Sequence, residues 1–129
     1  MILYHFTARD HAKAIEREGI TKGAVYIPPA MFKGIIWLTD DPRFTAQNWA
    51  TNYSGGCGDR TEVRFTLDIP NAVKWNGFAL EVLKMRQQDI DRFNMAGGSD
   101  GEHWYLARAP IDRRRIISKA YKGDKDARD

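Results

Sequence analysis

Between Thr61 and Ile69 the chain alternates without a break: Val63, Phe65, Leu67 and Ile69 are apolar, and Glu62, Arg64, Thr66 and Asp68 are polar. A period of two is the signature of a strand that buries one face and wets the other. A strand of that kind needs partners, so a helical bundle is excluded and the search turns to the other strands. Ile2–Phe6 is rich in strand formers. Gly34–Thr39 is a short apolar run bounded by Gly34 and by Asp40-Asp41-Pro42, as a central strand would be. His103–Arg108 and Arg115–Tyr121 complete a set of five.

Helices are predicted between these strands. Thr7 is placed to cap a helix whose inner face carries Ala8, Ala12 and Ile15, with Asp10 three residues on and Gly19 as the stop. Pro42 suits the first turn of a second helix reaching to about Asn52, with Asp41 as its cap. Phe78–Asn94 reads as a broken helix. Pro28-Pro29, Tyr53–Asp59 and Met95–Gly101 are loops by composition. The expected class is α+β: a small, split antiparallel core of two packed sheets with inserted helices and a cleft between the sheets. At 129 residues one domain is expected, over 1–122, with a frayed tail over 123–129.

Composition narrows the function. No apolar run approaches the ~18 residues of a membrane span, and the first residues lack a secretory pattern. A cytoplasmic, monomeric protein is therefore expected. The lone Cys57 excludes an intramolecular disulfide and a cysteine-rich zinc site. His5, His11 and His103 are scattered, and no metal is expected. The net charge is +3, with Arg113-Arg114-Arg115, Lys119, Lys122 and Lys125 crowding the last quarter, diluted by Asp112, Asp124, Asp126 and Asp129. Phosphate loops, dinucleotide glycine fingerprints and nucleophile elbows do not occur.

Three segments do share a pattern, each a strand end carrying polar or aromatic side chains suited to a nucleotide. They are Tyr4-His5-Phe6-Thr7; Gly34-Ile35-Ile36-Trp37-Leu38-Thr39-Asp40, followed by Ala46-Gln47-Asn48-Trp49; and Glu102-His103-Trp104-Tyr105-Leu106. In this order they resemble the three motifs of the ADP-ribosyltransferases, in the diphtheria-toxin and poly(ADP-ribose) polymerase branch. That branch has a histidine ending the first core strand, a tyrosine in the second segment and a glutamate opening a late strand. Here Phe6 stands where the family has glycine, and Trp37 where it has tyrosine.

The resemblance implies an NAD-dependent mono-ADP-ribosyltransferase. Cleavage of the nicotinamide–ribose bond passes through an oxocarbenium-like state, which a carboxylate stabilises. Glu102 takes that role by resemblance, with Asp100 as the alternative. His5, the other catalytic residue, would hold the adenosine ribose. The Phe6 backbone and Thr7 would hold the carboxamide, Trp37 and Trp49 would line and stack on nicotinamide, and Thr39 would complete the cofactor site. Arg9 or Arg43 would meet the pyrophosphate. The acceptor would be a macromolecule, protein or nucleic acid, and a bacterial toxin or phage effector would suit so small a domain. Two other readings stand beside it: an NAD-dependent RNA 2′-phosphotransferase, for which Arg113-Arg114-Arg115 speaks, and a non-catalytic protein-binding inhibitor, for which Tyr53 or Trp75 would suit an interface.

Overall fold

A computed structural model describes residues 1–27, 30–47, 60–96 and 100–124. All five expected strands are present: β1 (Ile2–Thr7), β4 (Ile35–Thr39), β5 (Val63–Asp68), β7 (Trp104–Arg108) and β8 (Ile116–Tyr121). Three further short strands were not foreseen, namely β2 (Ala24–Ile27), β3 (Ala30–Lys33) and β6 (Val73–Lys74). The helices are α1 (Arg9–Glu18), α2 (Trp75–Glu81) and α3 (Gln87–Ala96).

The expected pair of packed sheets is replaced by one antiparallel sheet of six strands, in the order β6-β7-β4-β1-β5-β8, beside the separate hairpin β2–β3. The reason lies in β1, which pairs with β4 on one side and with β5 on the other, so no split opens at the centre. Each face is then covered by other elements. Alternation sorts the side chains: Leu3 opposes Leu67, His5 opposes Phe65 and Thr7 opposes Val63, all on one face. Helix α1 closes that face with Ala12 and Ile15, aided by Ile20 and Ile111, over Ile36, Leu38 and Ala107. The opposite face of β4 and β7 carries Ile35, Trp37, Trp104 and Leu106, and α2 and α3 cover it with Trp75, Ala79, Ile90 and Phe93.

Helix α1 starts differently from the expectation. Thr7 is the last residue of β1, and the N-cap is Ala8, whose side chain cannot cap. Glu62, just before β5, does the work instead: its Oε1 accepts the Arg9 backbone N–H at 3.1 Å. A carboxylate there satisfies one of the four unpaired helix donors and meets the positive end of the helix dipole. The stop is as expected. Gly19 has φ +79°, its N–H donates to Ile15 O at 2.8 Å, and a Cβ there would fall 2.2 Å from Ile111 O.

From Pro42 to Gln47, where the second helix was expected to begin, the chain forms a 3₁₀ turn, Phe44–Ala46, and the rest of that expected helix lies outside the described residues. Asp41 Oδ1 does accept the Arg43 N–H at 3.1 Å, but the Gln47 amide then donates to Asp41 O at 3.0 Å and to Arg43 O at 2.9 Å. Arg43 O also accepts the Ala46 N–H at 3.2 Å, the 3₁₀ bond itself, so a side chain and a tight backbone bond together take the carbonyls a helix would have used one residue further on. The break expected within Phe78–Asn94 lies between α2 and α3, where Lys84 adopts φ +56°. At the other end, β8 finishes in a turn, with Asp124 Oδ2 accepting the Tyr121 N–H at 2.8 Å. No described helix is long and apolar enough to cross a membrane.

Candidate functional site

The three motif segments fall on neighbouring strands, since β7, β4 and β1 lie side by side. Tyr4 opposes Thr39, and Thr39 opposes Trp104, which makes one row across the three strands. One residue further along, past the ends of β4 and β7, Asp40 meets His103. The Asp40 N–H donates to His103 O at 3.1 Å, and Asp40 Oδ1 lies 2.7 Å from His103 Nδ1. Glu102 Oε1 stands 3.5 Å from the other ring nitrogen, Nε2. The Glu102 side chain is 75% exposed and His103 40%, so this corner is open to a ligand.

Beside the corner, the 40–47 segment folds down onto the sheet. The Thr39 Oγ1 accepts the Asp41 N–H at 3.1 Å, and Thr39 itself is buried. Asp41 grips Arg43 through Nε at 3.0 Å and Nη2 at 2.7 Å. The hydrogen bonds from Arg43 hold the Asp41 carboxyl below its ordinary range, burial opposes this, and the charges on Arg43 and His103 add to the lowering. From β5, Arg64 Nη1 donates to Pro42 O at 2.7 Å, and its guanidinium lies 5.0 Å from the Phe44 ring centre. Phe44 in turn meets Phe6 edge-on at 5.4 Å. The segment is thereby pinned to both β1 and β5.

His5 sits on the α1 face, and its Nδ1 lies 3.2 Å from the backbone oxygen of Trp37. Desolvation pushes its pKa below the ordinary value, against the raising effect of that backbone bond, and His11 on α1 lowers it a little further. A carbonyl only accepts, so Nδ1 carries the proton. In the neutral ring Nε2 is then an acceptor, able to take a hydrogen bond from a hydroxyl.

The remaining expected site residues divide between the two faces and the two ends of the sheet. Thr7 is buried on the His5 face. Trp37 points to the opposite face and is packed among Trp75 at 5.3 Å, Trp104 at 5.2 Å and Phe93 at 6.4 Å, so His5 and Trp37 do not share a cleft through their side chains. Phe6 packs on Phe44. Arg9 lies beyond the Thr7 end of β1, with its Nε 3.7 Å from Glu62 and its guanidinium 4.5 Å from the Tyr121 ring centre. Arg43 lies at the Asp40 end, bound to Asp41. The 3₁₀ segment Asp100–His103 contains both acidic candidates, and Glu102 is the one beside His103. Trp49, Tyr53 and Cys57 lie outside the described residues. Trp75 is fully buried, which removes it as an exposed interface residue. Arg113-Arg114-Arg115 precede β8, four strands away from β7, or roughly 19 Å at the usual strand spacing.

Asp40 and His103 were missed as a pair, although both stand inside quoted motifs. Only the β4–β7 register brings them together, and no sequence spacing reports it. Among the described residues, no group of three or more His, Cys, Asp or Glu side chains is disposed to hold a metal ion. Searches against protein-family models, curated proteins and solved structures give no match.

Proposed function

We propose that the protein is an NAD-dependent ADP-ribosyltransferase that works at the Glu102 corner. The observation carrying this reading is the adjacency of β1, β4 and β7, which gathers three motif segments scattered over a hundred residues onto neighbouring strands. Two polar handles support it. His5 offers a neutral ring nitrogen as a hydroxyl acceptor, and Glu102 offers an exposed carboxylate at the mouth of β7. Glu102 lies in the 3₁₀ segment just before β7, two strands across the sheet from His5 on β1. A dinucleotide, whose two riboses are joined through a pyrophosphate, is a ligand that uses two such separated handles.

In this reading His5 binds one ribose and Glu102 stabilises the positive charge that grows on the other as nicotinamide leaves. Trp37 shapes the wall behind β4 through the aromatic cluster. Glu102→Gln keeps one hydrogen-bonding oxygen and removes the charge. Nicotinamide release from NAD, followed by chromatography, is expected to fall by roughly two orders of magnitude or more, with little change in the affinity for NAD. His5→Ala is expected to weaken NAD binding more than the chemical step. Full turnover in Glu102→Gln would sink the reading.

A further inference from the structure

Resting on that reading, we infer that His103, oriented by Asp40, is the general base for the acceptor, and that the acceptor is a neutral hydroxyl, with water as its smallest member. The geometry is that of a histidine held from behind by a carboxylate. Asp40 Oδ1 at 2.7 Å fixes the proton on Nδ1, and the backbone bond from Asp40 N–H to His103 O holds the two residues in register. The lone pair is thereby left on Nε2, on the side where Glu102 stands 3.5 Å away. At 40% exposure the ring is reachable from solvent.

The step balances without any further reagent. The acceptor oxygen attacks the ribose C1′ carried by NAD, and its proton passes to His103 Nε2. The C1′–nitrogen bond breaks with its electron pair going to the nicotinamide ring, which leaves neutral. The imidazolium so formed stands between Asp40 and Glu102, a carboxylate on each ring nitrogen, where its charge is stabilised. Asp41 is already committed to Arg43 and does not compete for the ring. Glu102 thus faces the sugar and His103 the acceptor, two adjacent residues with separate tasks.

The test measures nicotinamide release from NAD across pH 5 to 9, in water and with added methanol, for the wild type and four variants. His103→Gln retains an amide that can bond Asp40 but has no basic nitrogen. Its kcat at saturating NAD is expected to fall about 100-fold, the lower end of what a positioned base supplies, and to lose the acid-side decline of the wild-type kcat profile. KM for NAD is expected to stay within about threefold, because the base does not hold the dinucleotide. Methyl ADP-ribose should form in the wild type and decline in parallel with hydrolysis. Added imidazole is expected to restore part of the rate in His103→Ala, which a purely structural loss would not allow. Asp40→Asn should fall between the wild type and His103→Gln. A His103→Gln protein with wild-type rate and profile, alongside an inactive Glu102→Gln, overturns the base and leaves the transferase reading standing. An inactive His103→Ala that imidazole does not rescue also overturns the base. No release by the wild type at any pH removes the transferase reading first and the base with it.

Discussion

On the α1 face, side chains that are aliphatic apart from Phe65, spaced by simple alternation, meet one amphipathic helix. Leu3, Ile36, Leu38, Val63, Phe65 and Leu67 lie beneath Ala12 and Ile15. On the opposite face, at the β7 side, the sheet meets α2 and α3 through rings. Trp37, Trp75, Phe93 and Trp104 pack at centre distances from 5.0 to 6.4 Å, mostly edge to face or tilted. The aliphatic face draws on β1, β4, β5 and the first helix. The aromatic face depends on one fully buried ring, Trp75, whose indole N–H must find an acceptor: it donates to Asn94 Oδ1 at 2.9 Å. A generic hydrophobic layer and a specific one therefore stand back to back on the same strands, and the specific one abuts the Glu102 corner.

The largest effect expected from that contrast is for Trp75→Ala. Truncating a fully buried tryptophan costs about 3–5 kcal/mol, and here it also removes the edge-on partner of Trp37. Chemical denaturation should show that loss, with collapse of the near-ultraviolet circular dichroism. Leu67→Ala on the other face is expected to cost about 2–5 kcal/mol but to leave the aromatic signal largely intact. If the two variants prove indistinguishable in the near-ultraviolet, the two faces are not independent layers.

The contrast also explains what could be read in advance. Alternation in Thr61–Ile69 and the apolar run at Gly34–Thr39 report burial directly, so five strands and the α1 stop at Gly19 were legible. Thr7 was misassigned as a cap because Glu62 lies far away in sequence and takes over only once β5 pairs with β1. The split into two sheets was misjudged because pairing of β1 on both edges leaves no mark in the sequence of β1 itself. The candidate site was legible as residues and not as an arrangement, for the same reason. Glu102 and His5 stand out as residues, whereas the meeting of Asp40 with His103 exists only in the register.

A middle-sized effect is expected where the aromatic layer touches the site. Gly101 precedes Glu102, and a Cβ on it would fall 2.1 Å from Asn94 Oδ1, the atom that accepts the Trp75 indole N–H. Gly101→Ala must therefore displace Asn94, which also donates to Asn76 Oδ1 at 3.2 Å. A buried donor left unpaired costs about 1–3 kcal/mol. The Tm should fall accordingly, and the Trp75 fluorescence should shift. An unchanged Tm would mean that Asn94 has another satisfactory rotamer and that the layer is less specific than its geometry suggests.

The smallest effect belongs to the aliphatic face, where His5 is the polar exception. Burial lowers its pKa below the ordinary value of 6.5. Once pH drops below 6.5, the unfolded chain takes up a proton on this ring that the folded chain refuses. Stability must then decrease with acidification, and the decrease is complete once the pH has fallen through the folded-state pKa. Above about pH 7.5 the group contributes no slope, since both states are neutral. One proton can contribute at most about 1.4 kcal/mol per pH unit. The measurement is a difference, which cancels contributions common to both proteins: urea denaturation of the wild type and of His5→Gln at pH 7.5, 6.5 and 5.5. The wild type is expected to lose more stability than the variant on descending this series. NAD binding should weaken over the lower part of the same range, because a protonated Nε2 can no longer accept from a ribose hydroxyl. A flat difference would show that the ring is hydrated in the folded chain, and the aliphatic face would then be the more permeable of the two.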